Sequence, residues 1–229
     1  ATAGIWELAE PVATYNDEGY QVQPGNNHTA DGTYCFITGN GYEEANGGFD
    51  DVDGGHTTLY SPEFNFEGLN EVVLTYWRWY TNNIGDNGNN DKWIVSVSND
   101  GTSWIDLENT SSSDANWTRQ RFILSDHIDL GSTMTFRFIA EDIFYNGDAG
   151  SGGSLVEAGV DDFTLEILSD GSGVLGDLNI DELVNIMDVV LMVNMILGSE
   201  SPNYATADIN SDGYINIQDI ILLINIILN

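Results

Sequence analysis

Two stretches near the end of the chain, GDLNIDELVNIMDVVLMVNMIL from Gly176 and ADINSDGYINIQDIILLINIIL from Ala207, are one pattern written twice, offset by 31 residues (208 minus 177). A fixed-period repeat constrains the fold more tightly than any composition, because each copy must be one supersecondary unit that buries its apolar side against its twin. Each copy opens on alternating Asp and Asn and runs into an apolar segment. That segment is too short for the roughly 20 residues a membrane span requires. An acidic loop feeding a helix, made twice, is the expected C-terminal domain.

The loop spacing identifies a chemistry. Calcium takes about six to eight oxygens, and a twelve-residue loop supplies them from positions one, three, five, seven, nine and twelve, with a glycine turning sharply at position six. The second repeat fills these positions with Asp208, Asn210, Asp212, the carbonyl of Tyr214, Asn216 and Asp219, and puts Gly213 at the turn. The first fills them with Asp177, Asn179, Asp181, the carbonyl of Leu183, Asn185 and Asp188, but Glu182 stands where the glycine is expected. A side chain forced to positive φ there is strained. Without a cation the carboxylates repel, by about 4 kcal/mol for two unit charges about 4 Å apart at an effective dielectric of about 20. The expectation is therefore two calcium ions, and loops disordered without them. An Asp-Gly turn alone is commonplace; two copies with all six positions filled are not.

On these repeats, residues 174 to 229 resemble type I dockerins, small calcium-binding modules that attach secreted proteins to cohesin domains. The resemblance implies a protein partner. In cellulosomal dockerins the tenth and eleventh loop positions, often Ser-Thr, help to recognise cohesin; here they are Ile186 and Met187, and Ile217 and Gln218. The Lys-Arg pair found later in such helices is replaced by Val193-Asn194 and Ile224-Asn225. In residues 217 to 228 only Gln218, Asp219 and Asn225 are polar. A helix half buried against its twin has a wider polar face. A second covered face is expected, against the rest of the chain, another subunit or a cohesin-like partner.

The preceding sequence has a different texture. EVVLTYWRWY, DKWIVSVSND, TRQRFILSD, STMTFRFIAED and VDDFTLEIL read as strands between Gly, Asn and Asp clusters. Met134, Phe136 and Phe138 alternate with Thr133, Thr135 and Arg137, the two-residue period of a strand with one buried face. Strands without intervening helical periods predict a sandwich or jelly roll. The fold expected is mainly β: a jelly-roll β-sandwich over residues 1–168, a Gly/Ser linker at 169–176 and a small all-α domain at 177–229 holding the repeats 177–197 and 208–228.

GIWELAEPVATYN, HTADGTYCFITGN, DVDGGHTTLYSPEFNFEG, VVLTYWRWYTNN and SLVEAGVDDFTLEI together resemble the MAM-like jelly-roll modules of secreted bacterial multidomain proteins, over residues 4 to 168. Such modules are noncatalytic and often hold a structural calcium between an N-terminal acid, a loop acid and an acid beside the last strand. The resemblance implies Glu7, Asp51 or Asp53, and Asp161 or Asp162 for a third ion. The residues leave two readings. Adjacent strand residues point to opposite faces, so one of Asp161 and Asp162 faces inward or towards the sandwich rim and requires a cation or backbone amides as partner.

Charge narrows the partners further. With 37 acidic residues against 5 basic and a net charge of −32, a cationic patch for nucleic acid or an anionic membrane is hardly attainable. Cys35, the single cysteine, excludes an internal disulfide and reads as a small buried hydrophobe. His28, His56 and His127 form no paired metal motif, and no G-x-S-x-G or Cys-His arrangement offers a nucleophile, so no catalysis is expected. The start ATAGIWELAE lacks the regions of a signal peptide and reads as that of a mature or excised piece.

The function expected is an extracellular or cell-surface, secreted, calcium-stabilised attachment module, its helical pair engaging a cohesin-like domain or neighbouring copies of itself. Head-to-tail contacts between copies that do not close would build a fibre. The alternative is a carbohydrate- or substrate-binding accessory region of a secreted peptidase or glycoside hydrolase. TYWRWY reads as core rather than sugar platform, and the alternative requires exposed aromatics such as Trp79 or Tyr80.

Overall fold

A computed structural model of the chain describes residues 1–41, 47–143, 153–168, 175–179, 181, 183–200, 203–210 and 212–228. It divides into two compact units, Ala1–Ile167 and Leu168–Asn229. The linker residues 169–174 and Glu182 lie outside the described residues.

The first unit is built from eleven named strands: β1 (Trp6–Ala9), β2 (Thr14–Tyr15), β3 (Gln21–Gln23), β4 (Cys35–Thr38), β5 (Gly55–Tyr60), β6 (Glu71–Thr81), β7 (Trp93–Ser98), β8 (Ile105–Thr110), β9 (Asp114–Ile123), β10 (Thr135–Asp142) and β11 (Glu157–Leu168). They form a five-stranded sheet in the order β1-β4-β11-β6-β9, a four-stranded sheet β5-β10-β7-β8, and the separate hairpin β2-β3. The two large sheets face each other across one core. On β10 the predicted alternation holds: Phe136, Phe138 and Ala140 are buried while Thr135, Arg137 and Ile139 are partly exposed. These side chains meet Leu74, Tyr76 and Tyr80 of β6 and Trp93 and Val95 of β7 in one apolar cluster. An Asp-Gly turn follows β7, with Gly101 at φ +72° and Asp100 Oδ1 accepting the Thr102 and Ser103 amides at 2.7 and 2.6 Å.

The outer face of the five-stranded sheet is not open. Trp79 alternates with the core residue Tyr80 and so projects outward, yet only 5% of it is exposed. The β2-β3 hairpin covers it: Trp79 Nε1 and Thr81 Oγ1 both donate to the Val22 carbonyl, at 2.8 and 3.0 Å. Gln23 secures the hairpin by donating from Nε2 to the carbonyls of Thr38 and Gly39, at 2.9 and 2.7 Å. Neither Trp79 nor Tyr80, which is fully buried, presents a ring to solvent. The aromatic shelf that the carbohydrate alternative placed there is absent, because Tyr80 turns into the sandwich and Trp79 lies under the hairpin.

The second unit holds α1 (Ile186–Ile196), the short α2 (Tyr204–Ala207) and α3 (Ile217–Leu228). Its core joins Leu178, Val189, Met192, Ala207 and Leu223. Gly176, at φ +97°, brings the backbone so close to Leu223 that a Cβ there would sit 2.6 Å from Leu223 Cδ1.

Candidate functional site

The two acidic loops are held by the same chain of side-chain-to-backbone hydrogen bonds. In the second, Asp208 accepts the amides of Asp212 and Gly213, at 3.1 Å on Oδ1 and 2.8 Å on Oδ2. Asn210 Oδ1 accepts the Asp212 amide at 3.0 Å, Asp212 Oδ1 the Tyr214 amide at 2.9 Å, and Asn216 Oδ1 the Gln218 amide at 2.8 Å. In the first, Asp177 Oδ1 and Asn179 Oδ1 accept the Asp181 amide at 3.2 and 3.1 Å. Asp181 Oδ1 accepts that of Leu183 at 2.9 Å, and Asn185 Oδ1 that of Met187 at 2.8 Å. Asn179, Asp181 and Asn185, like Asn210, Asp212 and Asn216, each bend the backbone two residues on, while the opening Asp177 and Asp208 reach the amide four residues on.

Gly213 occupies the sixth position with φ +85°, the left-handed turn the spacing requires. At the twelfth positions Asp188 and Asp219 are fully buried. Asp188 Oδ2 accepts the Asn185 amide at 2.8 Å, completing a capping box at the start of α1, and Asp219 Oδ2 accepts the Asn216 amide at 2.9 Å.

The donor set fits a hard cation. The side chains at the candidate ligand positions present oxygens of Asp and Asn, each with two lone pairs, so an oxygen that accepts a backbone amide can still face a cation. Among the described residues no three His, Cys, Asp or Glu side chains are gathered closely enough to hold an ion by themselves. A cation in either loop would therefore need the Asn side-chain oxygens and the carbonyl of Leu183 or Tyr214 beside the carboxylates.

Beside the loops, the helices keep apolar surface uncovered within their own unit. Ile186, Met187, Val190 and Val193 of α1 and Ile217, Ile221, Ile224 and Leu228 of α3 are exposed, Ile217 to 64%. Ile186, Met187, Ile217 and Gln218, at the tenth and eleventh loop positions, stand at the exposed starts of the two helices. The shortage of polar residues in IQDIILLINIIL was the sequence signal for this face.

Among the described residues no three of the acids singled out in the sandwich are gathered closely enough to hold an ion by themselves. Glu7 accepts the Asn40 amide at 2.6 Å. Asp51 is buried, and its carboxyl is pushed up to about 8, first by burial and then by the charges of Asp53 and Asp142. Asp161 Oδ2 instead accepts the amides of His28 and Thr29, at 2.8 and 3.0 Å. Asp161 is thus bonded to backbone amides of the 28–29 segment. Asp162 stands at φ +47°, a left-handed kink within β11. The rule that neighbouring strand residues point apart fails at that kink, and both carboxylates reach Thr29 Oγ1, at 3.1 and 2.5 Å.

His28 Nδ1 lies 2.6 Å from Asp162 Oδ2, and its ring stacks on Trp77 at 3.6 Å between centroids. Burial pushes the Asp162 carboxyl up, but the Thr29 hydroxyl and the His28 ring outweigh it and hold the group below its ordinary value. Glu157, which the sequence reading passed over, is a fully buried acid bonded to Thr38 Oγ1 at 2.9 Å and raised well above its ordinary value, chiefly by burial. Its signal is an acid amid small and apolar residues in SLVEAGV.

Residues 175–228 match the family model of the type I dockerin domain. Type I dockerin domains bind calcium, and dockerins occur in extracellular cellulosome proteins, where they engage cohesins. No curated protein matches the chain. Solved structures similar to it include two carbohydrate-binding modules. One is of TmCBM61 in complex with β-1,4-galactotriose, at 14% identity over 61% of this chain and 74% of that one, with a TM-score of 0.35. The other is a family 16 carbohydrate-binding module, at 13% identity over 60% and 79%, with a TM-score of 0.32. Overlaps of this quality carry no argument about ligand.

Proposed function

We propose that this chain is a noncatalytic, extracellular attachment module whose C-terminal helical pair, folded around two calcium ions, binds a protein partner. The observation that carries the reading is the duplicated loop, with one hydrogen-bond pattern at 177–188 and 208–219, leading in each case into a helix with an uncovered apolar face. Asp177, Asn179, Asp181, Asn185 and Asp188, with the Leu183 carbonyl, would hold one ion. Asp208, Asn210, Asp212, Asn216 and Asp219, with the Tyr214 carbonyl, would hold the other. The ions would neutralise carboxylates that otherwise repel, and by mass action add about 2.7 kcal/mol of stability when free calcium is about a hundredfold above the dissociation constant.

The partner is a cohesin-like domain or a second copy of this chain. Apolar Ile186, Met187 and Ile217 favour an apolar acceptor over the polar contact that Ser-Thr would make. The MAM-like sandwich serves as the body that the helical pair attaches.

Multi-angle light scattering of the full chain in millimolar calcium and in excess chelator, with and without a type I cohesin, tests association. Larger particles in calcium alone identify self-assembly; a stoichiometric complex only with cohesin identifies the foreign partner. A monomer of about 25 kDa under every condition would contradict the reading.

A further inference from the structure

The β2-β3 hairpin also builds a cleft that neither the loops nor the helices explain. A cavity of about 450 Å³ is lined by Asn16, Glu18, Tyr20 and Gln21 of the hairpin and by Asn83 and Ile84 beyond β6. A second, of about 380 Å³, shares Asn16, Glu18 and Ile84 with it, so the two are lobes of one groove. Each lobe lies within the roughly 300–1,000 Å³ common for ligand sites.

Three amide side chains in the groove are each tied at one end. Asn16 Oδ1 accepts the amides of Glu18 and Tyr20, at 3.1 and 2.8 Å, and so also shapes the turn that carries Tyr20. Asn83 Oδ1 accepts the Ser113 hydroxyl at 2.9 Å. Gln21 Nε2 donates to the Gln23 carbonyl at 2.9 Å. The tethers set which end of each amide stays available: the Nδ2 donors of Asn16 and Asn83, and the Oε1 acceptor of Gln21. A ligand meeting these groups finds rotamers already fixed, which removes part of the entropy cost of binding. Tyr20, 62% exposed, adds an uncovered ring, and Glu18 an acceptor.

No Lys or Arg lines either lobe, and the chain is strongly negative, so phosphate or carboxylate ligands are disfavoured. The amides make the groove too polar for an acyl chain. Vicinal hydroxyls, each both donor and acceptor, match fixed amide ends, and the C–H face of a sugar ring matches an exposed tyrosine. We propose that this groove binds a neutral oligosaccharide. The site goes beyond the association reading and is independent of the calcium loops.

The test is affinity electrophoresis of the full chain in millimolar calcium through gels carrying galactomannan, mixed-linkage β-glucan, arabinogalactan or pullulan, followed by an array of neutral oligosaccharides. At least one is expected to retard the protein, with affinity falling about tenfold or more in Tyr20→Ala and in Asn83→Ala, about 1.4 kcal/mol. Tyr60→Ala, an exposed ring outside the groove, is expected to bind as the parent does. Asn83→Ala also loses the Ser113 contact, so Tyr20→Ala is the decisive variant. Absence of binding across gels and array, or binding that Tyr20→Ala leaves unchanged, would overturn the proposal. Neither result depends on association in calcium, which light scattering reads separately.

Discussion

Asp219 stands to its loop as Asp188 stands to the loop before it. Asp219 Oδ1 accepts the Ile209 and Asn210 amides at 2.9 and 3.3 Å, and Asp188 Oδ1 accepts those of Leu178 and Asn179 at 2.8 and 3.2 Å. Each buried carboxylate joins the first turn of a helix to the start of its loop, so the loop cannot loosen without freeing the helix. Asp219→Ala leaves three amide donors without their acceptor. At about 1–3 kcal/mol for each such group that water does not reach, the second unit is expected to lose about 3 kcal/mol. Limited proteolysis in calcium checks this: cleavage within 217–228 rises in the variant, and an unchanged pattern would refute the linkage.

Glu157 is expected to contribute to the pH dependence of the sandwich. Its folded pKa lies above the ordinary 4.5, chiefly because burial disfavours the charge. As pH rises past the ordinary value the unfolded chain releases this proton first, so the native state binds more protons and stability falls until the folded pKa is reached. Asp51, pushed up to about 8, acts in the same direction. In chelator, where loop calcium adds no opposing term, melting is expected at higher temperature at pH 5 than at pH 8. Glu157→Gln keeps an acceptor for Thr38 and removes the charge. It is expected to gain about 1–2 kcal/mol at pH 8, or roughly 2–8 °C, and to flatten the profile. A steeper profile in the variant would count against this assignment.

Cys35 is expected to be inert in the native chain. Its thiol is pushed up to about 12, by burial first and then by the charge of Asp161, and thiolate is the reactive form. A chromogenic disulfide reagent at pH 8 should give no signal over an hour and one equivalent on addition of denaturant. Prompt labelling without denaturant would show that the strand beneath the hairpin opens.

The His28 ring covers Trp77, and Trp117 Nε1 donates to the Asn26 carbonyl at 3.0 Å, so both indoles depend on the 26–29 segment. His28→Ala is expected to cost about 1 kcal/mol, the scale of an aromatic pair, and to shift tryptophan emission to the red. Emission identical to the parent's would mean that the segment is held without the stack.

The turns of the two acidic loops were legible in the sequence because their geometry is local. Asn210, Asp212 and Asn216 each bond the amide two residues on, so the spacing that suggests a cation also announces the backbone turn. The strands of the sandwich were legible one by one for the same reason, as Phe136 and Phe138 show. Their pairing was not, since β1 meets β4 and β6 meets β9 through contacts distant in the chain. Trp79 read correctly as buried, but its cover, Val22, lies 57 residues away. Asp162 was misplaced because nothing in GVDDFTL marks a left-handed residue. Asn16, Tyr20 and Asn83 passed unremarked because a groove joining a hairpin to a distant loop leaves no motif.

The account turns on calcium ordering the helices, and hydrogen exchange measured by mass spectrometry reads this directly. In millimolar calcium the amides of 186–196 and 217–228 are expected to be protected, and in chelator to exchange at least a hundredfold faster, about 2.7 kcal/mol, while those of β6 and β10 stay unchanged. Equal protection of both helices with and without calcium would contradict the account.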